Sequence, residues 1–130
     1  MEISAEAYQD EPPRYPSLHV VDLKEESASV TDSYRNIVIN RVNDSCLRLS
    51  VFEGDYRWHY HARSDELFIV VEGLLAIDLE DGTELRLRPW QSVTIPAKTV
   101  HRTRAIGRTV NVCFEELAAE TVFVGSDKGT

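Results

Sequence analysis

The chain has 130 residues, 42% of them hydrophobic and 28% charged, which leaves room for one domain with one core and matches ordinary globular composition. Twenty-two acidic residues against 14 basic ones give a formal charge of −8, and no basic stripe is long enough to reverse it, so nucleic acid is not an expected partner. The longest apolar run, Leu67 to Val71, is too short for a bilayer, and the acidic start Met1-Glu2-Ile3-Ser4-Ala5-Glu6 carries no export pattern, so the expectation is a cytoplasmic protein with no membrane partner.

Residues 1–16 read as an extended arm, because Glu11-Pro12-Pro13-Arg14-Tyr15-Pro16 cannot sustain a helix. Such an arm is expected either to be disordered or to lie along a partner subunit. Leu18 to Leu23 reads as a short strand, and Ser17 or Asp22 as the start of a brief helix through Lys24-Glu25-Glu26. From Asn36 onward the pattern changes to repeated short strands. Ile37-Val38-Ile39 is β-branched and precedes the turn signal Asn43-Asp44. Leu47, Leu49 and Val51 then alternate with Arg48, Ser50 and Phe52 up to Gly54. Tyr56 to His61 is a further strand. Glu66 to Val71 is nearly all apolar, as in a strand buried on both faces, and ends at Gly73.

Leu75, Ile77 and Leu79 alternate up to the Asp81-Gly82 turn, and Leu85 and Leu87 do so up to Pro89. Val93-Thr94-Ile95 ends at Pro96, Thr109 to Phe114 makes a late strand, and Thr121 to Val124 is the one patterned piece of the tail. Short strands spaced by turn signals, with no long amphipathic helix, predict an all-β sandwich or barrel, with a jelly roll as the natural closed form. The division expected is the arm at 1–16 and a single domain at 17–130, with its barrel core at about 36–116. Cys46 and Cys113, each in an apolar stretch, read as buried reduced thiols without a chemical role.

Three of the four histidines converge on one pattern. In a strand, His59 and His61 point to the same face with Cα atoms about 6.5 Å apart. Two imidazoles so placed can share an ion at about 2.0–2.2 Å from each nitrogen. After four intervening residues Glu66 opens the next strand, and a hairpin would return its carboxylate beside the histidines. His101, in the loop beyond Pro96, would be the fourth ligand. Each has a plainer reading: a lone His-x-His means little, Asp65 could replace Glu66 as ligand, and His101 could be a turn histidine, as His19 is read to be. The joint placement of pair, carboxylate, glycine and Pro-x-x-x-x-His favours one metal site. The Arg102, Arg104 and Arg108 cluster, and the Arg57 and Arg63 that bracket the pair, read as solvated strand faces, with a small anionic ligand as the alternative.

The segment from Gly54 to Gly73 resembles the first cupin motif: a glycine, His-x-His, a glutamate after three or four residues, then a glycine after six. The first glycine lies one residue closer to the pair than is usual. The segment Trp90 to Ala105 resembles the second motif through Pro96 and His101, with Lys98 in place of a glycine, Trp90 in place of an upstream glycine and Ala105 in place of an asparagine. More narrowly, Val42 to Glu115 is similar to small single-domain bacterial cupins of the mannose-6-phosphate isomerase-like group. The resemblance implies a cupin jelly-roll, or double-stranded β-helix, barrel with His59, His61, Glu66 and His101 as metal ligands.

It also implies one divalent transition metal (Fe, Mn, Ni, Zn or Cu), a small-molecule substrate and a homodimer. Trp58 would stand at the dimer contact or in the core of the second sheet. Two functions follow. One is a metalloenzyme, a dioxygenase or a sugar or keto-acid isomerase or lyase; the other is a non-catalytic module that binds a sugar or organic acid. No second carboxylate, Ser-His pair or cysteine stands out in the sequence as acid, base or nucleophile, and alternation sends Arg57 to the histidine face.

Overall fold

The computed structural model describes residues 11–125. Among the described residues one short helix, α1 (Leu23–Ala28), precedes nine strands: β1 (Tyr34–Val42), β2 (Ser45–Asp55), β3 (His59–His61), β4 (Glu66–Glu72), β5 (Leu75–Leu79), β6 (Glu84–Leu87), β7 (Ser92–Ile95), β8 (His101–Glu116) and β9 (Thr121–Phe123). All the pairings are antiparallel, and they make the jelly roll that the strand spacing predicts. The helix described is too short and too polar to cross a membrane.

Local chemistry explains the boundaries. The Asp22 side chain accepts from the Glu25 amide and caps α1, so the helix reading holds here and the strand reading of Leu18–Leu23 does not. Asn43, at φ 55°, makes the β1–β2 turn with Asp44. Gly82, at φ 95°, does the same between β5 and β6, where the Asp81 carboxylate accepts from the Thr83 amide.

β8 organises the barrel. Its first half, from His101 to Ala105, pairs with β5, and His101 lies opposite His59 on β3. Its second half pairs with both β2 and β4. Between them Ile106-Gly107-Arg108 is exposed, with Gly107 at φ 76°, and there the strand passes from one layer to the other. Sequence alone shows only Thr109–Phe114, because Arg102 and Arg104 alternating with Thr103 give no apolar face.

Alternation divides the apolar residues between two cores. Phe52, Phe68, Val70, Leu75, Ile77, Leu87, Ile95, Ala105 and Cys113 fill the barrel. Ile37, Ile39, Leu49, Val51, Val110 and Val112 form a second cluster with Val30, under a cover that includes Tyr15, Val21 and Leu23. The apolar face of β2 thus packs under the N-terminal segment, while Arg48 and Ser50 face the barrel cavity. β4 contributes Phe68 and Val70 to one core and Ile69 and Val71 to the other, as expected of a strand covered on both sides. Of the arm, residues 1–10 lie outside the described residues. The remainder lies along this chain's own β1, with the Arg14 and Tyr15 amides donating to Val38 O (2.8 Å) and Ile39 O (3.2 Å).

Candidate metal centre

His59 and His61 come from β3, Glu66 from the start of β4 and His101 from the start of β8. All four are buried, and one ligand atom from each lies within 4.8 Å of the other three. The hairpin inferred from the sequence does not form: β3 pairs with β8 and β9, and β4 with β7 and β8, so Glu66, opposite Ile95 on β7, reaches the histidines by the packing of separate ladders. His101 arrives by strand pairing with His59, and its loop is clasped twice to the two ends of the β3–β4 connection. The Lys98 amide donates to His61 O (2.8 Å), and the Ala97 amide donates to Asp65 Oδ1 (2.9 Å). Asp65 is exposed and holds that clasp; it does not join the cluster. Lys98 (φ 69°) and Trp90 (φ 72°) hold the left-handed backbone at both positions where the cupin motif has glycine, so the turns survive the substitutions.

Each imidazole is oriented from behind. His59 Nδ1–H donates to Arg57 O (2.7 Å) and His101 Nδ1–H to Thr99 O (2.8 Å). His61 Nδ1 meets Thr121 Oγ1 at 2.9 Å. With every Nδ1 tied to a protein oxygen, every Nε2 is left for the cluster that the three imidazoles form with Glu66, the arrangement metal-binding histidines use. His101 Nε2, wholly buried, has no hydrogen-bond partner. An orphaned buried nitrogen beside two more imidazoles and a carboxylate suits a divalent ion, so the donor set could hold one.

Electrostatics point the same way. Burial, reinforced by the charges of His101 and His61, lowers His59 to about 3, so it is a neutral donor. Burial works against charge on His61 as well, yet the Glu66 carboxylate at 2.8 Å raises it to about 9. Burial disfavours ionised Glu66, but His61 and His101 hold it well below the usual carboxylate range. Burial raises the thiols of Cys46, to about 11, and of Cys113, keeping both protonated.

Sequence reasoning passed over three residues here. Thr121 orients His61 from β9, which pairs His61 with Thr121 across the ladder. Glu115 on β8 is a second buried carboxylate, contrary to the sequence reading that none is placed near the site. Its Oε2 accepts from Arg48 Nε (2.9 Å), and its Oε1 stands 3.7 Å from His61 Nε2. Burial and the Glu66 charge push Glu115 up to about 7, against the pull of His61 and Arg48. Arg48, itself buried, also donates to Asn36 Oδ1 (3.1 Å). The only signal for Arg48 and Glu115 in the sequence is a charge that alternates with apolar residues, Leu47 and Leu49 in β2 and Phe114 in β8. Arg57 is not turned into the cavity; its guanidinium lies 4.0 Å over the Phe123 ring. Trp58 is half-buried beneath the Arg102 guanidinium (5.0 Å) and belongs to neither core.

His59, His61, Glu66, Arg48, Glu115 and Thr121 line a cavity of about 60 Å³. The cupin domain family matches residues 50–115, which span the cavity wall from Ser50 to Glu115 and contain all four candidate ligands. The chain is a cupin. It is 52% identical over 95 residues to YdbB of Bacillus subtilis (strain 168), covering 73% of this cupin and 84% of that protein. Among solved structures it is similar to NMB1881 from Neisseria meningitidis, with 30% identity, a TM-score of 0.70 and coverage of 75% and 99%. A cupin-2 domain protein from Shewanella frigidimarina gives 29% identity and the same TM-score, with coverage of 75% and 94%.

Proposed function

We propose that this cupin binds one divalent transition metal through His59, His61, Glu66 and His101 and acts on a small organic substrate in the adjoining cavity. The observation that carries this reading is the set of three imidazoles, each anchored at Nδ1, with their Nε2 atoms beside one buried carboxylate. A bound ion would supply Lewis-acid polarisation of a substrate oxygen, and iron would add dioxygen chemistry. Within that reading His59, His61 and His101 donate neutral nitrogen, Glu66 offsets positive charge, and Phe68 on the barrel side limits water. Glu115 supports an enzyme over a passive binding module, because a buried carboxylate with a free oxygen can hold or accept a substrate proton. Isomerase or lyase action on a sugar or keto acid and dioxygenase action share this donor set. The cytoplasmic setting belongs to the same proposal.

The size of the cavity bounds the substrate. At about 10–15 Å³ per water, the space admits roughly four to six water-sized groups. A molecule of few heavy atoms, or one end of a larger one, fits.

The test is elemental analysis of protein purified without a histidine tag. About one divalent ion per chain is expected in the wild type, and His59→Ala with His61→Ala is expected to abolish it. Undiminished metal content in the double variant would overturn the assignment. Turnover of a substrate panel by each reconstituted metal form then separates catalysis from binding.

A further inference from the structure

We infer that Glu115 is a ligand-contacting residue, whose free oxygen takes a hydrogen bond from a hydroxyl group that the ligand carries next to its metal-binding oxygen. The inference rests on the metal reading above and names the substrate class for that site: small α-hydroxy carbonyl compounds or vicinal diols.

The two oxygens of Glu115 are in unequal positions. Oε2 is committed to Arg48 Nε (2.9 Å), and Arg48 is in turn held by Asn36 Oδ1 (3.1 Å) and approached by Glu11 Oε1 (3.8 Å). The carboxylate therefore cannot turn without breaking a buried ion pair. Oε1 has no hydrogen-bond partner although the residue is only 7% exposed. A buried acceptor left unmatched is costly, and such groups are found where a ligand completes them. Glu115 lines the cavity and its free oxygen lies 3.7 Å from His61 Nε2, the nitrogen facing the donor cluster. An atom bound to that cluster and an atom hydrogen-bonded to Glu115 are thus near neighbours, which fits oxygens on adjacent carbons. The ion pair selects the partner: a carboxylate paired with Arg48 through Oε2 presents Oε1 as an acceptor, so the ligand must donate. A second anionic group at this place would meet both Glu115 and Glu66, while the Arg48 charge is already matched.

The experiment uses full-length protein loaded with zinc, which has no redox chemistry, at pH 8. Binding of hydroxyacetone is compared with that of 2-butanone, which has the same number of heavy atoms and a methyl group in place of the hydroxyl. The affinities are read by calorimetry or ligand-observed NMR in the wild type and in Glu115→Gln. In the variant, Arg48 Nε–H retains the amide oxygen, so an NH₂ donor replaces the acceptor toward the cavity. The wild type is expected to prefer hydroxyacetone by about ten-fold or more, and the variant to lose most of that preference with unchanged zinc content. Equal binding of the two probes by the wild type overturns the inference without recourse to any variant. So does a preference that survives in Glu115→Gln, which would assign it to chelation alone. Loss of zinc in Glu115→Gln also overturns it, by making Glu115 part of the metal shell. Zinc titration of the ligand-free wild type is a separate arm: no uptake there defeats the metal reading itself.

Discussion

At the scale of single residues, Asp65 and Glu66 show how neighbours of like charge take different work. Glu66 is buried at 2.8 Å from His61 Nε2, while Asp65 is exposed and accepts from the Ala97 amide. Glu66→Gln is expected to weaken metal binding by about ten-fold or more, the loss of a charged ligand. Asp65→Asn keeps a carbonyl acceptor for Ala97 and is expected to leave metal binding unchanged. Titration of both variants checks this, and the reverse pattern would move the ligand to Asp65. His61 carries a second expectation. In the metal-free protein its pKa is raised from 6.5 to about 9, so the charged imidazole stabilises the fold fully below 6.5, and that contribution is lost as pH rises through 9. A metal ion must displace that proton, whereas His59 is already neutral and Glu66 already ionised. Metal binding at pH 8 should therefore release about one proton per ion, with affinity climbing with pH and levelling above about 9. Calorimetry in buffers of different ionisation enthalpy measures the release; a value near zero would show that His61 is not a ligand.

At the scale of elements, the barrel depends on close approach where β4 ends. Gly73 is at φ 92°, and a Cβ there would meet Arg108 O at 2.5 Å and Thr109 Oγ1 at 2.6 Å, at the point where β8 begins its second half. Gly73→Ala combines a left-handed backbone with a clash against main chain and is expected to cost about 3 kcal/mol or more. Gly82, at φ 95° with open space around it, is the control: Gly82→Ala carries the backbone strain alone, about 1 kcal/mol. Thermal denaturation of the two variants separates the terms, and equal losses would show that the contact with β8 is unimportant. Lys98 and Trp90 bear the same kind of strain without glycine, which the clasp of the loop on His61 O offsets at Lys98.

At the scale of the whole molecule, the N-terminal segment closes the outer core, yet Leu18 and Val20 are left almost entirely exposed next to it. Large apolar side chains so placed fit a contact between two copies better than an isolated chain does. A homodimer is expected, with twice the chain mass by light scattering at micromolar concentration, and Leu18→Asp with Val20→Asp shifting it toward monomer. Monomeric mass in the wild type would end the expectation. The contact is not expected at Trp58, whose ring is covered by Arg102.

Short-range pattern was enough to read the all-β class, most of the strand set and the four residues that cluster, because a His-x-His pair, a carboxylate at the start of the next strand and a Pro-x-x-x-x-His loop are local features. The Asp22 cap was legible for the same reason. What the sequence could not reveal depended on which strands meet. Alternation in Leu47–Phe52 defines two faces but not which is inside; only the packing of Tyr15, Val21 and Leu23 over the apolar face turns Arg48 and Ser50 into the cavity. Glu115 is distant in sequence from both Arg48 and His61, and it reaches them because β8 pairs with β2 and, through His101, with β3. Thr121 reaches His61 because β9 pairs with β3. Such antiparallel pairings across the barrel are set by the closure of the whole sheet, so the ligands could be read in one dimension while the polar wall that faces them could not.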